Sequence, residues 1–154
     1  MTTKSYGTVS AARRKQMTGL EFVRGLASGE LPLNTIARTL GYDVAEAEKG
    51  RVLVTLVPTD AHLNPAGTVH GGLTATLLDS CMGLAIQSTL DKDVSQTTLE
   101  FKISLVITPE TGEVRAEGKV LHCGRRIGTA EGRVVDGQGR LLAHGTTTCL
   151  IFQN

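Results

Sequence analysis

The residues with the clearest chemical potential lie in one stretch, Asn64-Pro65-Ala66-Gly67-Thr68-Val69-His70-Gly71-Gly72, followed by Asp79. Asp79 stands in the middle of an apolar segment. A buried carboxylate is costly without partners, and burial tends to raise its pKa. Asp79 is therefore either a structural residue paired with a backbone N–H or a cation, or a reacting group. Ala75 and Gly83, at i−4 and i+4, are both small. On a helix they clear space beside Asp79, as a substrate channel requires, or else allow close helix–sheet packing. Gly71 and Gly72 open the same segment. A helix N-terminus carries about half a positive charge, and backbone N–H groups there can hold the oxyanion of an acyl-transfer intermediate. The glycine pair also suits a plain loop-to-helix turn. Asn64 and His70 are polar neighbours that could orient the same carbonyl, and His70 equally suits a helix cap or a satisfied core histidine.

Spacing constrains the chemistry. Gly71 and Asp79 are eight residues apart, about 12 Å along a helix. An oxyanion donor and an attacking or basic group must both lie about 3 Å from the reacting centre. One helix cannot bring both to one carbonyl. If both groups act, Asp79 meets Gly71 from a second copy, which predicts a homodimer with two composite sites.

The elements that position these residues follow from periodicity. Residues 71–89 read as the only long helix. Leu73, Leu77, Leu78, Met82, Leu84, Ala85 and Ile86 make it apolar nearly all round, so a sheet is expected to wrap it. Before it come a weak strand over 40–47 and a strong β-branched strand over 51–57. After it come strands at about 98–106, 113–122, 126–135 and 140–152, read as a four-strand meander. In the first of these, Leu99, Phe101, Ile103 and Leu105 oppose Thr98, Glu100, Lys102 and Ser104. That alternation implies one buried and one wet face. Residues 1–16 read as a mobile lead-in, and a short helix capped by Thr18 follows it. The expected organisation is a lead-in over 1–35 and one α+β domain over 36–154, an antiparallel sheet of about six strands around the 71–89 helix.

Composition excludes several functions. With 154 residues and a net charge of +1, the chain has no general attraction for nucleic acid or anionic membrane. It has no Trp and only five Phe and Tyr, too few for base stacking. No segment is apolar enough to span a bilayer, and the first residues lack a leader's apolar run, so the expected location is cytoplasmic. Cys81, Cys123 and Cys149 form no paired motif and read as small apolar residues. His62, His70, His122 and His144 lack ligand spacing, so no metal is expected.

The run Asn64 to Asp79 resembles the PaaI-type hotdog thioesterases: Asn or Gln, His-Gly-Gly six residues on, then an acidic residue seven past the second glycine. Val114-Arg-Ala-Glu-Gly-Lys-Val-Leu-His-Cys-Gly-Arg-Arg126 and Asp136-Gly-Gln-Gly-Arg-Leu-Leu-Ala-His-Gly145 are also similar. The resemblance covers about residues 40–152. It implies a hotdog fold and hydrolysis of an acyl-CoA thioester to acid and CoA, without a cofactor. Asp79 would be nucleophile or general base. The Gly71 N–H and Asn64 would polarise the carbonyl, with Gly72 beside them and His70 orienting this corner. Thr98 would help hold the water, or Thr97 if the register slips, and Gly83 would leave room for substrate. Arg125 and Arg126 would meet CoA phosphates, although a solvated turn explains them equally well. The family implies a homodimer and a homotetramer. Where relatives carry Arg-Pro at the end of the 98–106 strand, this chain has Ile107-Thr108-Pro109.

Two other classes fit less well. A hotdog enoyl-CoA hydratase would need an Asp-x-Asn-Pro-x-His pattern, and Asp60, Asn64 and Pro65 have the wrong spacing. A non-catalytic acyl-CoA sensor would usually carry a DNA-binding helix pair, and none precedes the hotdog region.

Overall fold

The computed structural model describes residues 3–109 and 112–154. Met1 and Thr2, where the lead-in reading begins, lie outside the described residues. In chain order the elements are α1 (Ala11–Lys15), α2 (Gly19–Ser28), α3 (Thr35–Leu40), β1 (Tyr42–Glu48), β2 (Arg51–Leu56), α4 (Gly71–Gln87), β3 (Val94–Leu105), β4 (Val114–Cys123), β5 (Ile127–Val135) and β6 (Leu141–Gln153). A single 3-10 turn, Asp60–His62, interrupts the loop before α4.

The strands form one six-stranded antiparallel sheet in the order β1-β2-β4-β5-β6-β3. The expected meander after the helix is therefore only partly right. β4, β5 and β6 are consecutive neighbours, but β3 lies beyond β6 at the far edge, and β4 pairs with β2. Helix α4 explains the placement. It packs against β2, β3, β4, β5 and β6, so the strand that follows it starts at one edge of the wrap. This is the hotdog arrangement that the motif implied.

Alternation along β3 also differs from expectation. Its pairing with β6 shifts between Thr98 and Glu100, leaving Leu99 as an extra residue. Such a bulge reverses the phase of the faces beyond it. Thr98 and Ile103, expected on opposite faces, thus both turn toward α4: Thr98 bonds Asp79, and Ile103 packs on the core. The buried stripe expected from Leu99, Phe101, Ile103 and Leu105 does not form. Leu99, Phe101 and Leu105 are 56%, 40% and 57% exposed, on the edge strand.

Leu77, Leu78, Cys81, Met82, Ala85 and Ile86 of α4 are essentially solvent-free. The helix reaches the sheet through Gly118 of β4, where an added Cβ would stand 2.4 Å from the Cys81 carbonyl. The helix ends at Gln87 with Ser88 as its cap, two residues before the expected end.

The described part of the lead-in is folded, contrary to expectation. Tyr6 bridges Leu33 in parallel, and Lys4 bonds both Asp43 Oδ1 and the Val44 carbonyl. Residues 11–15 form α1, which has no buried residue to signal it. Helix α2 starts at Thr18 as read, with a reciprocal capping box between Thr18 and Glu21.

Candidate active site

Asp79 lies half-buried on the α4 face toward β3. Thr98 Oγ1 donates to Asp79 Oδ1 at 3.0 Å. The β3 bulge fixes the register question: Thr98 faces the helix, and Thr97 is exposed. The second carboxylate oxygen has no donor among the described residues, so it is available to a proton or a reacting carbon.

One turn on, Gly83 is buried, and its carbonyl accepts from Gln96 Nε2 at 3.2 Å. A carbonyl only accepts, so the Gln96 amide must point its NH2 there. Its Oε1 is shielded from solvent and has no donor among the described residues. Asp79, Gly83, Gln96 and Thr98 share a cavity of about 480 Å³. Its walls include Tyr42, whose hydroxyl donates to Asn34 Oδ1 and accepts from Ser80 Oγ. The motif could not reveal Gln96, but its place two residues before Thr98 on one strand face is a usable signal.

The start of α4 is built from the preceding loop. His70 is the N-cap, and its Nδ1 accepts from the Gly72 N–H at 2.8 Å. That bond places the ring proton on Nε2. Of the two glycines, Gly72 thus has its N–H occupied. The Gly71 N–H finds no acceptor among the described residues. A Cβ at Gly71 would come within 2.6 Å of Leu105 Cδ1. Asn64 organises the loop: its Oδ1 accepts from the Ala66 and Thr68 N–H groups at 3.0 and 3.2 Å, and its Nδ2 donates to Thr68 Oγ1 at 2.9 Å. One Nδ2 hydrogen remains for another acceptor. Asn64 and Gly71 line a second cavity of about 200 Å³ with Leu105, Ile107, Thr108 and Pro109.

Within one chain the two halves do not meet. Asp79 opens into the first cavity, and Gly71 with Asn64 into the second. Arg125 and Arg126 are exposed in the β4–β5 turn, beside a third cavity of about 850 Å³ that contains neither half. Burial pushes the Cys81 and Cys149 thiols up, away from the thiolate form a nucleophile needs. Among the described residues, no three His, Cys, Asp or Glu side chains gather as metal ligands, and no helix is long and apolar enough to cross a membrane.

A family model described as the thioesterase superfamily matches residues 66–143. A Halobacterium salinarum protein whose name places it among esterases is 34% identical over 101 residues. That match covers 62% of this chain and 66% of the relative, just under two thirds of its length. Acyl-coenzyme A thioesterase 13 of Homo sapiens is 29% identical over 114 residues, covering 72% of this chain and 81% of the relative. Among solved structures, a phenylacetic acid degradation-related protein of Ralstonia eutropha JMP134 superposes with a TM-score of 0.76 at 29% identity. It covers 84% of this chain and 98% of that one.

Proposed function

The chain belongs to the thioesterase superfamily, and from that premise we propose that it hydrolyses an acyl-CoA thioester to the free acid and CoA. The observation that carries the reading is the Asp79 carboxylate, half-buried in a cavity, held on one oxygen by Thr98 and open on the other. Acyl-CoA chemistry is supported by the likeness to acyl-coenzyme A thioesterase 13.

In this reading the Gly71 N–H and the spare Asn64 Nδ2 hydrogen polarise the thioester carbonyl. His70 keeps the Gly72 N–H occupied and holds the helix start in place. Asp79 takes a proton from water as the water oxygen bonds to the carbonyl carbon, or attacks that carbon itself to give a mixed anhydride that water then hydrolyses to the acid and free Asp79. Negative charge then gathers on the oxyanion, where a fixed backbone donor is worth most. Collapse breaks the C–S bond. Thiolate is a good leaving group, so no strong general acid is needed.

The separation of about 12 Å between Gly71 and Asp79 along the helix asks for a second copy of the chain. We propose a homodimer in which Gly71 and Asn64 of one protomer face Asp79 of its partner. The β3 edge supports this. An unpaired strand edge with exposed Leu99, Phe101 and Leu105 is a surface that proteins normally cover. Two such dimers would make the homotetramer that the resemblance implies.

The test is free-thiol release from a panel of acyl-CoA thioesters, run beside Asp79→Asn. Turnover falls by about three orders of magnitude or more in the variant, as expected for loss of a reacting group. Near-wild-type turnover in Asp79→Asn removes Asp79 from the mechanism.

A further inference from the structure

The cavity beside Asp79 does not end at the sheet. It runs between α4 and α2, past Leu84, Phe22 and Leu26, and is also lined by Gly7, Thr8 and Val9 from the start of the chain. We propose that this N-terminal strap is the far wall of the acyl site and decides which acyl lengths are accepted. The proposal rests on the acyl-CoA reading above and goes beyond it, because the matched family region begins only at residue 66.

Three features make the strap a wall rather than a loose end. Lys4 is tied to Asp43 and to the Val44 carbonyl, both on β1. Tyr6 and Gly7 are joined to the Leu33 segment, with Gly7 N–H donating to the Leu33 carbonyl at 2.9 Å. Val9 is partly buried and packs on the hydrophobic core. Since Gly7, Thr8 and Val9 all line the cavity, its length on this side is set by the strap.

Polarity says which part of the substrate lies here. The walls are mixed but mainly apolar, with Leu84, Phe22, Leu26 and Val44 beside the polar Arg14, Asn34, Ser80 and Gln96. An acyl chain can lie against the apolar members, whereas the several CoA phosphates would find Arg14 as the sole cation among the lining residues. A cavity of about 480 Å³ falls within the range that holds small organic groups. The wall then acts as a steric stop, and the penalty for exceeding it grows with each added methylene.

The experiment uses the 154-residue chain with two alternative substitutions at one position. Val9→Trp fills the end of the cavity, and Val9→Ala enlarges it. For saturated acyl-CoAs of increasing length, kcat/KM of Val9→Trp should drop at least about tenfold on the longest chain wild type accepts. The shortest chain should be unaffected. Val9→Ala should move the cut-off to longer chains. Equal scaling of every substrate in both variants would overturn the proposal.

A second readout is independent of hydrolysis. The natural sequence has no Trp, so Val9→Trp combined with Asp79→Asn carries a single indole, placed at the strap. Its emission should shift with long-chain acyl-CoA and not with free CoA. An equal response to free CoA places the CoA moiety at the strap and overturns the proposal. Absence of thiol release from every acyl-CoA by the wild-type chain, with the length-dependent emission intact, would defeat the hydrolase reading and leave the strap assignment standing.

Discussion

At the residue scale, Asp79 has one side-chain hydrogen-bond partner among the described residues. Thr98 Oγ1 donates to one carboxylate oxygen at 3.0 Å. A hydrogen bond to a charged group contributes about 1.5–3 kcal/mol, so Thr98 fixes the carboxylate rotamer and keeps the other oxygen pointed into the cavity. Thr98→Ser retains the hydroxyl, and Thr98→Val removes it at nearly constant shape. We expect Thr98→Ser to stay near wild type and Thr98→Val to lose roughly tenfold in kcat/KM, about 1.4 kcal/mol. Equal kinetics in the two variants would reduce Thr98 to a packing residue.

At the element scale, the long helix and its cap do most of the positioning. His70 accepts from the Gly72 N–H, which leaves the Gly71 N–H as the free donor at the helix start. His70→Ala should destabilise the protein by about 1 kcal/mol, the usual cost of losing a cap, and lower Tm by roughly 2–4 °C. His70→Asn, which retains an acceptor, should recover most of that loss; a Tm unchanged in His70→Ala would deny the cap its structural weight. This helix was legible in the sequence because Leu73 to Ile86 are apolar on every side. Strand β4 keeps a regular alternation, with Val114, Ala116 and Gly118 buried, so its apolar positions in the sequence do mark the inner face. The β3 alternation misled for a physical reason. A bulge leaves no mark in polarity, and Leu99 and Phe101 look like core residues while lying on an exposed edge. The folded lead-in was hidden for a similar reason: α1 buries nothing, and the strap is fixed by backbone bonds and by Lys4 reaching β1 across 39 residues.

At the scale of the whole molecule, the proposed mechanism makes the candidate site half a site. The motif from Asn64 to Asp79 was readable as one string, yet folding sends its two ends into separate cavities. The string carries the residue types; helix length shows that they cannot serve one carbonyl from one chain. The exposed β3 edge supplies a surface on which a second copy can be seated. The proposed mechanism therefore ties activity to assembly.

That tie is tested most directly by mixing two impaired chains. Asp79→Asn lacks the carboxylate, and Gly71→Val disturbs the helix start that presents the free N–H, since an added Cβ there would stand 2.6 Å from Leu105 Cδ1. Each homodimer should have negligible thiol release from acyl-CoA. In a two-fold dimer, a hybrid carries one intact site and one doubly damaged site. Co-expression at equal levels makes about half the dimers hybrid, so activity should return to about a quarter of wild type. A mixture as inactive as its parents, with hybrids demonstrated by affinity tags, would contradict a site shared between two chains.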